Sequence, residues 1–92
     1  MIIRVQGSGQ YRLQEDAVNG LNNLDGTLQE AVRTQDEKAV TSTLFAMIDF
    51  VQTQGVPVPD DEVVPSDAIL PPDTLTYDEI VAVLKEDGLI PG

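Results

Sequence analysis

The side chains in this sequence that could do chemistry are carboxylates, and they are densest in the second half of the chain. Asp60, Asp61 and Glu62 are consecutive, and Asp67 and Asp73 follow closely. Carboxylate oxygens are the ligands that Ca²⁺ and Mg²⁺ prefer, so a hard-cation site is one interpretation of this group. The spacing of an EF-hand loop is absent, however, and the intervening prolines define no loop that would make the oxygens converge. The pattern therefore favours a solvent-exposed acidic segment without a metal site.

Catalysis by carboxylates requires an acid and a base that face each other across a pocket. The adjacent acidic pairs of this chain instead lie near the ends of predicted helices, where Asp78 and Glu79 stabilise the helix dipole. The chain has no Cys and no His, which excludes thiol nucleophiles, disulfides, His-based triads and the usual zinc sites. The loop Gly7-Ser8-Gly9 lacks the third glycine of a dinucleotide-binding loop and precedes no helix. We therefore predict a protein that is not an enzyme and that has no cofactor.

The charge of the chain is strongly negative and unevenly distributed. Among 92 residues there are 16 Asp and Glu against 5 Lys and Arg, a net charge of −11. Residues 60–92 contribute −8 of this charge and residues 1–59 contribute −3. Nucleic acid and anionic lipid both attract clustered Lys and Arg, so neither is expected as a direct partner. A concentrated acidic segment either keeps the protein soluble or docks a basic partner, and the composition does not separate these two roles.

Nothing in the sequence predicts a leader or a membrane span. The N-terminus lacks a basic stretch followed by an apolar run of signal-peptide length. The longest apolar run is five residues, Leu44 to Ile48, far short of the roughly 20 that a membrane helix needs. We therefore expect a soluble, cytoplasmic protein.

Three types of segment must position these side chains. Residues 1–14 alternate apolar and polar around a glycine-rich turn, which predicts a β-hairpin. Residues 16–54 carry helical periodicity and are expected to form two antiparallel helices, with Asp36 as N-cap of the second helix and Gly55 as its stop. Gly20 and Gly26 weaken the first helix, and Asp25 lies in its apolar sector. Either Asp25 lies at the edge of the apolar stripe, which we favour, or it caps a second helical piece.

The chain after Gly55 changes character. Five of its six prolines fall within residues 57–72, so residues 56–75 are predicted to form an extended, acidic, proline-rich strap that lies on the body of the protein. We refer to this segment as the acidic strap. Residues 77–87 are predicted to form a short C-terminal helix, because Thr76 and Glu79 fit a capping box and Gly88 provides a stop. Together these segments predict a single α+β domain over residues 1–92.

The sequence also resembles a known family, the PspA-associated (PspAA) family. The resemblance begins with Met1–Leu13 and is strongest in three later stretches, Pro59–Asp67, Ile69–Asp73 and Glu86–Gly92. It runs in the same order through essentially the whole chain. The glycines and asparagines of the first helix are less favourable to a helix than is usual for the family.

The resemblance implies a small component of the phage-shock membrane-stress system. PspA is a helical, coiled-coil, membrane-remodelling protein, and the family offers no catalytic motif that could be transferred to this chain. The implied function is therefore binding: a non-enzymatic adaptor or regulatory partner of a PspA-like protein or of another phage-shock component. Such an adaptor would be recruited to the membrane through its partner.

For the binding surface we predict the acidic strap together with nearby apolar residues. The candidate partner-binding residues are Asp60, Asp61, Glu62, Asp67 and Phe45. Two alternatives stay open, a sensor of a small ligand or divalent metal in the same stress system, and a self-assembling structural subunit whose hairpin edge pairs across a two-fold axis.

Overall fold

The N-terminal residues form the hairpin that their alternation predicts, in a computed structural model that describes residues 1–72 and 74–84. Strand β1 (Ile2–Val5) pairs antiparallel with β2 (Gly9–Arg12). The turn between them requires positive backbone φ angles, 86° at Gly7 and 129° at Gly9, which glycine adopts at no steric cost. The predicted β-hairpin is therefore confirmed.

The acidic strap adds two short strands to this hairpin and completes a four-stranded sheet. Strand β3 (Val56–Pro57) pairs antiparallel with β2, and β4 (Ala68–Leu70) pairs parallel with β1. The strand order is β3-β2-β1-β4, so both strands of the strap lie at edges. Because proline has no N–H to donate, an edge is the position in a sheet that a proline-containing strand can occupy.

Two antiparallel helices follow the hairpin. Helix α1 (Glu15–Arg33) and helix α2 (Glu37–Gln54) are joined by a three-residue connection. Helix α1 runs without a break, so Asp25 caps no second helical piece. Asp25 is 3% exposed, and it is therefore enclosed in the protein rather than at an open edge of the apolar stripe.

The connection between the helices is a Schellman motif with glutamine at the position where glycine is usual. The Asp36 N–H donates to the Ala31 carbonyl and the Gln35 N–H to the Val32 carbonyl, and Gln35 has a φ of 59°. The Asp36 carboxylate then accepts from the Ala39 N–H at 3.1 Å. Asp36 therefore ends one helix and caps the next, as predicted for the cap.

Glycines allow the helices to approach their neighbours closely. A Cβ on Gly20 would lie 2.8 Å from the Phe50 ring, which packs against α1 at this point. A Cβ on Gly55 would lie 2.6 Å from the Val51 carbonyl oxygen and 2.9 Å from the Tyr11 Cβ. Since Gly55 has an ordinary φ of −87°, it is required by lack of space rather than by backbone conformation.

The helical hairpin covers one face of the sheet. Side chains at alternate positions of the strands enter the core from this face, together with Leu13 directly after β2. They are Ile3, Val5, Leu13, Ala68 and Leu70. They meet apolar side chains of the two helices, among them Leu21, Leu28, Leu44, Met47 and Val51. The intervening strand positions, such as Arg4 and Ile69, point to the opposite side because successive side chains alternate. We refer to this opposite side as the open face.

The C-terminal helix α3 (Tyr77–Val83) packs on the core through Ile80, which is 1% exposed. Its predicted capping box is present, since the Glu79 N–H donates to Thr76 Oγ1 and the Thr76 N–H to the Glu79 carboxylate. The helix is shorter than the predicted span of 77–87, because Leu84 already has an extended backbone. The predicted stop at Gly88 lies outside the described residues.

Candidate functional site

Ten residues of the acidic strap, 58–67, cross the open face of the sheet from β3 to β4. We call them the crossing segment. Gln10 holds their middle, because its side-chain amide donates to the Val64 carbonyl at 3.0 Å and to Ser66 Oγ at 2.8 Å. Gln10 is adjacent to the core-facing Tyr11, so its side chain projects from the other face of β2. The predicted strap on the body of the protein therefore has a defined position, over the open face.

The two ends of the crossing segment are also attached to the sheet. The Val58 N–H donates to the Gln10 carbonyl at 2.9 Å and continues the β2–β3 ladder. At the other end the Asp67 carboxylate accepts from the Ile2 N–H at 2.8 Å, and the Asp67 N–H donates to the Ile2 carbonyl at 2.8 Å. Asp67, one of the predicted binding residues, is thus engaged in holding β4 beside β1.

Glu62, another predicted binding residue, forms an ion pair with Arg12 on the open face. Both side chains are about half exposed, at 41% and 52%, so the pair contributes little to stability. Its effect on the surface is larger, because the guanidinium neutralises one of the three consecutive carboxylates. Glu62 is therefore less available to a partner than its two neighbours.

Asp60 and Asp61 form the outer turn of the crossing segment. The turn is closed by a hydrogen bond from the Glu62 N–H to the Pro59 carbonyl at 3.0 Å, and both aspartates are exposed. Within residues 1–72 and 74–84 no cation forms an ion pair with either of them. Val63 beside them is 97% exposed. This turn is the part of the acidic strap that presents free negative charge.

Phe45 lies on the other side of the molecule. Its side chain is 56% exposed on α2, and it lines an open cleft of about 360 Å³. The cleft runs between α2, the turn of the N-terminal hairpin and the chain after β4, at Pro72 and Thr74. The sheet separates this cleft from the crossing segment. The structure therefore does not bring Phe45 together with the predicted acidic residues into one surface.

Several residues that form these two surfaces were not among the predicted binding residues. Gln10 and Arg12 anchor the crossing segment, and their position on one face of a strand was the available signal. Asp49 lines the cleft one helical turn after Phe45, and this spacing of four residues was visible in the sequence. Pro72 reaches the cleft only because β4 returns beside β1, which no local pattern indicates.

Two carboxylates with altered pKa values lie on helices outside both surfaces. Hydrogen bonds from the Thr76 backbone N–H and side chain lower the pKa of Glu79 from its ordinary 4.5. The hydrogen-bonded Arg33 guanidinium lowers the pKa of Glu30 in the same way. These shifts are explained by a helix cap and by a pair on one helix face, and they indicate no reactive group.

Two properties of the described residues bear on ligands and membranes. Across residues 1–72 and 74–84, no three Asp or Glu side chains converge as they would around a metal ion. In the same part of the chain, no helix combines the length and the apolar character of a transmembrane span.

The structure is a small acidic α+β domain with two exposed surfaces, the turn at Asp60 and Asp61 and the cleft beside Phe45. Among the described residues, no cluster of Asp or Glu side chains could hold a metal ion. Comparison with protein families gives a match over residues 1–92 to the PspA-associated protein family, PspAA, so the chain belongs to this family. Comparison with curated proteins and with solved structures gave no significant match.

Proposed function

We propose that this protein is a non-enzymatic adaptor that binds a PspA-like protein and presents the turn at Asp60 and Asp61 to a basic stretch of that partner. It acts in the cytoplasm and reaches the membrane through its partner, as part of a phage-shock stress response. The observation that carries the proposal is membership of the PspA-associated family along the whole chain, since the family name states the association.

The geometry of the crossing segment supports this role. Its ends and its middle are hydrogen-bonded to the sheet, so the turn is held in place before a partner arrives. Pre-organisation reduces the conformational entropy that binding would otherwise cost. Free carboxylates at the tip of a fixed turn also attract a basic partner over a distance, which accelerates association.

Titration of the purified protein with PspA from the same organism, at low and at high salt, tests the proposal. We expect saturable binding that weakens as salt is added, because screening reduces attraction between exposed charges. The variant D60N/D61N should bind about three- to tenfold more weakly at low salt and should show a flatter salt dependence.

A charge-matched control separates a local effect of the turn from a general effect of net charge. D60N/D61N removes two negative charges and changes the net charge from −11 to −9. N23K/Q29K adds two positive charges on exposed positions of α1 and reaches the same −9. Glu62 and Asp67 are left unchanged because they hold the crossing segment in place.

Equal affinity of the two variants would show that the turn has no special role, and failure of the wild-type protein to bind PspA would contradict the proposed function itself. Weaker binding by D60N/D61N than by N23K/Q29K supports the turn as the docking site.

A further inference from the structure

We infer that the cleft beside Phe45 is a second contact with the same partner, and that it receives an apolar side chain from a basic amphipathic helix. This inference rests on the proposed function, because it assigns a further surface to the same association. It gives the two surfaces different roles. The turn at Asp60 and Asp61 attracts the partner, and the cleft retains it.

Phe45 differs from the other aromatic residues of the chain in its exposure. The chain has two Phe and two Tyr, and Phe50, Tyr11 and Tyr77 are partly buried against the core. Phe45 alone among the four is left mainly in solvent, at 56% exposure. An exposed aromatic beside a concave surface is the type of residue that contributes most to protein interfaces.

The cleft has room for a large side chain. Its volume of about 360 Å³ is near the lower end of the range for small-ligand pockets, and it opens to solvent between α2 and the hairpin turn. Ile48 and Pro72 contribute apolar surface next to Phe45. A single apolar side chain inserted from a partner would bury this surface together with the exposed ring.

The charge of the cleft selects a basic occupant. Among the described residues that line it, Asp49 is the one ionisable side chain, and no cation among the described residues pairs with it. A Lys or Arg of the partner placed beside Asp49 would complete the interaction. A second copy of this chain is a poor occupant, because each copy carries a net charge of −11.

The backbone around the cleft favours a helix over an extended peptide. The Gln6 N–H donates to the Leu70 carbonyl and the Ser8 N–H to the Val5 carbonyl, so neither is free to pair with an added strand. Both N–H groups are thus unavailable to a partner backbone, which favours contact through side chains. Phe45 and Asp49 are four residues apart on α2, a rise of about 6 Å, and a partner helix presents residues one turn apart at the same spacing.

Binding kinetics on immobilised PspA test the inference. We expect F45A to increase the dissociation rate by at least about tenfold with little change in the association rate, because an apolar anchor acts after encounter. D49N should weaken affinity about threefold and reduce its salt dependence. Because Phe45 and Asp49 are exposed, both variants should melt at the wild-type temperature.

The matched control is I69A, which removes an apolar side chain of similar exposure, 51%, from the open face. It should leave both rate constants within about twofold of wild type. If the wild-type protein binds PspA and F45A binds with the same rate constants, this inference is overturned, whereas the proposed function is unaffected. An effect of I69A in place of F45A would also overturn it, and would assign the anchor to the open face.

Two further outcomes would also count against it. If wild-type protein is a dimer in sedimentation experiments and F45A is a monomer, the occupant is a second copy of this chain. If wild-type protein does not bind PspA, the proposed function fails, and the inference that rests on it fails too.

Discussion

The two faces of the sheet are covered in different ways. The helical hairpin covers one face with tightly packed apolar side chains, and the crossing segment covers the other with a few hydrogen bonds and one exposed ion pair. Burial of apolar surface contributes far more to stability than exposed polar contacts do. The helix-covered face therefore supplies most of the stability of the fold, whereas the open face carries charged side chains that contribute little to it.

Adjacent residues of β4 test this comparison most directly, because they point to opposite faces. Leu70 is fully buried and Ile69 is 51% exposed. L70A should lower the free energy of unfolding by about 2–5 kcal/mol, since it leaves a cavity in the core. I69A should change it by less than about 0.5 kcal/mol. Chemical denaturation measures the free energy of unfolding of both variants. Equal losses for L70A and I69A would contradict the assignment of these residues to opposite faces.

The second-largest expected loss of stability comes from Gly55, where the backbone lies too close to its neighbours on the helix-covered face to admit a Cβ. G55A should destabilise the protein by about 1–3 kcal/mol, because its new Cβ would meet Val51 and Tyr11 at less than 3 Å. G26A is the matched control, because Gly26 is an exposed position of α1 and nothing lies within 4 Å of the added Cβ. It should stabilise the protein by about 0.5–1 kcal/mol by raising helix propensity. Thermal melts should show a lower melting temperature for G55A and a higher one for G26A. If G55A instead raised the melting temperature, Val51 and Tyr11 would leave room for a Cβ at residue 55.

Loosening the crossing segment should cost less stability than the L70A or G55A substitution. Q10A removes two hydrogen bonds to Val64 and Ser66 and should cost about 1 kcal/mol. Amide hydrogen exchange should accelerate within residues 58–67 and remain unchanged in the buried part of α2. Faster exchange throughout the molecule would show that the segment is part of the core rather than a cover.

The smallest effect is the pH dependence of the α3 cap, which lies outside both faces. Folding lowers the pKa of Glu79 below 4.5, so its contribution to stability is fully present above that pH and is lost as the pH falls through the folded pKa. E79Q has no such titration but keeps a side chain suited to the capping box. The stability gap between wild type and E79Q should therefore narrow on acidification below about pH 4.5. A gap that widens on acidification would mean that folding raises the pKa of Glu79 instead of lowering it.

Local patterns predicted the elements well. Alternation gave the hairpin, and capping chemistry at Asp36 and Thr76 placed the starts of α2 and α3. Asp25 was harder, because helical periodicity places a residue in a sector without showing what encloses it. The end of α3 also differs from its prediction, since the extended backbone at Leu84 has no signal in the residue types.

The arrangement of the predicted binding residues depended on long-range contacts. The acidity and the extended, non-helical course of the strap could be predicted from its carboxylates and prolines. Its path over the open face could not, because it follows from pairing of β4 with β1 and from the hydrogen bonds of Gln10. For the same reason the sequence grouped Phe45 with Asp60 and Asp61, whereas the sheet separates them.

If both proposed surfaces are used, PspA should contact this protein at the turn of the crossing segment and at the cleft beside Phe45. Cross-saturation NMR from PspA to the isotopically labelled protein tests it most directly. We expect signal loss around Asp60 and Asp61 and around Phe45 and Asp49, with the exposed side of α1 unaffected. Signal loss confined to the exposed side of α1 would show that PspA binds elsewhere on the protein, at neither proposed surface.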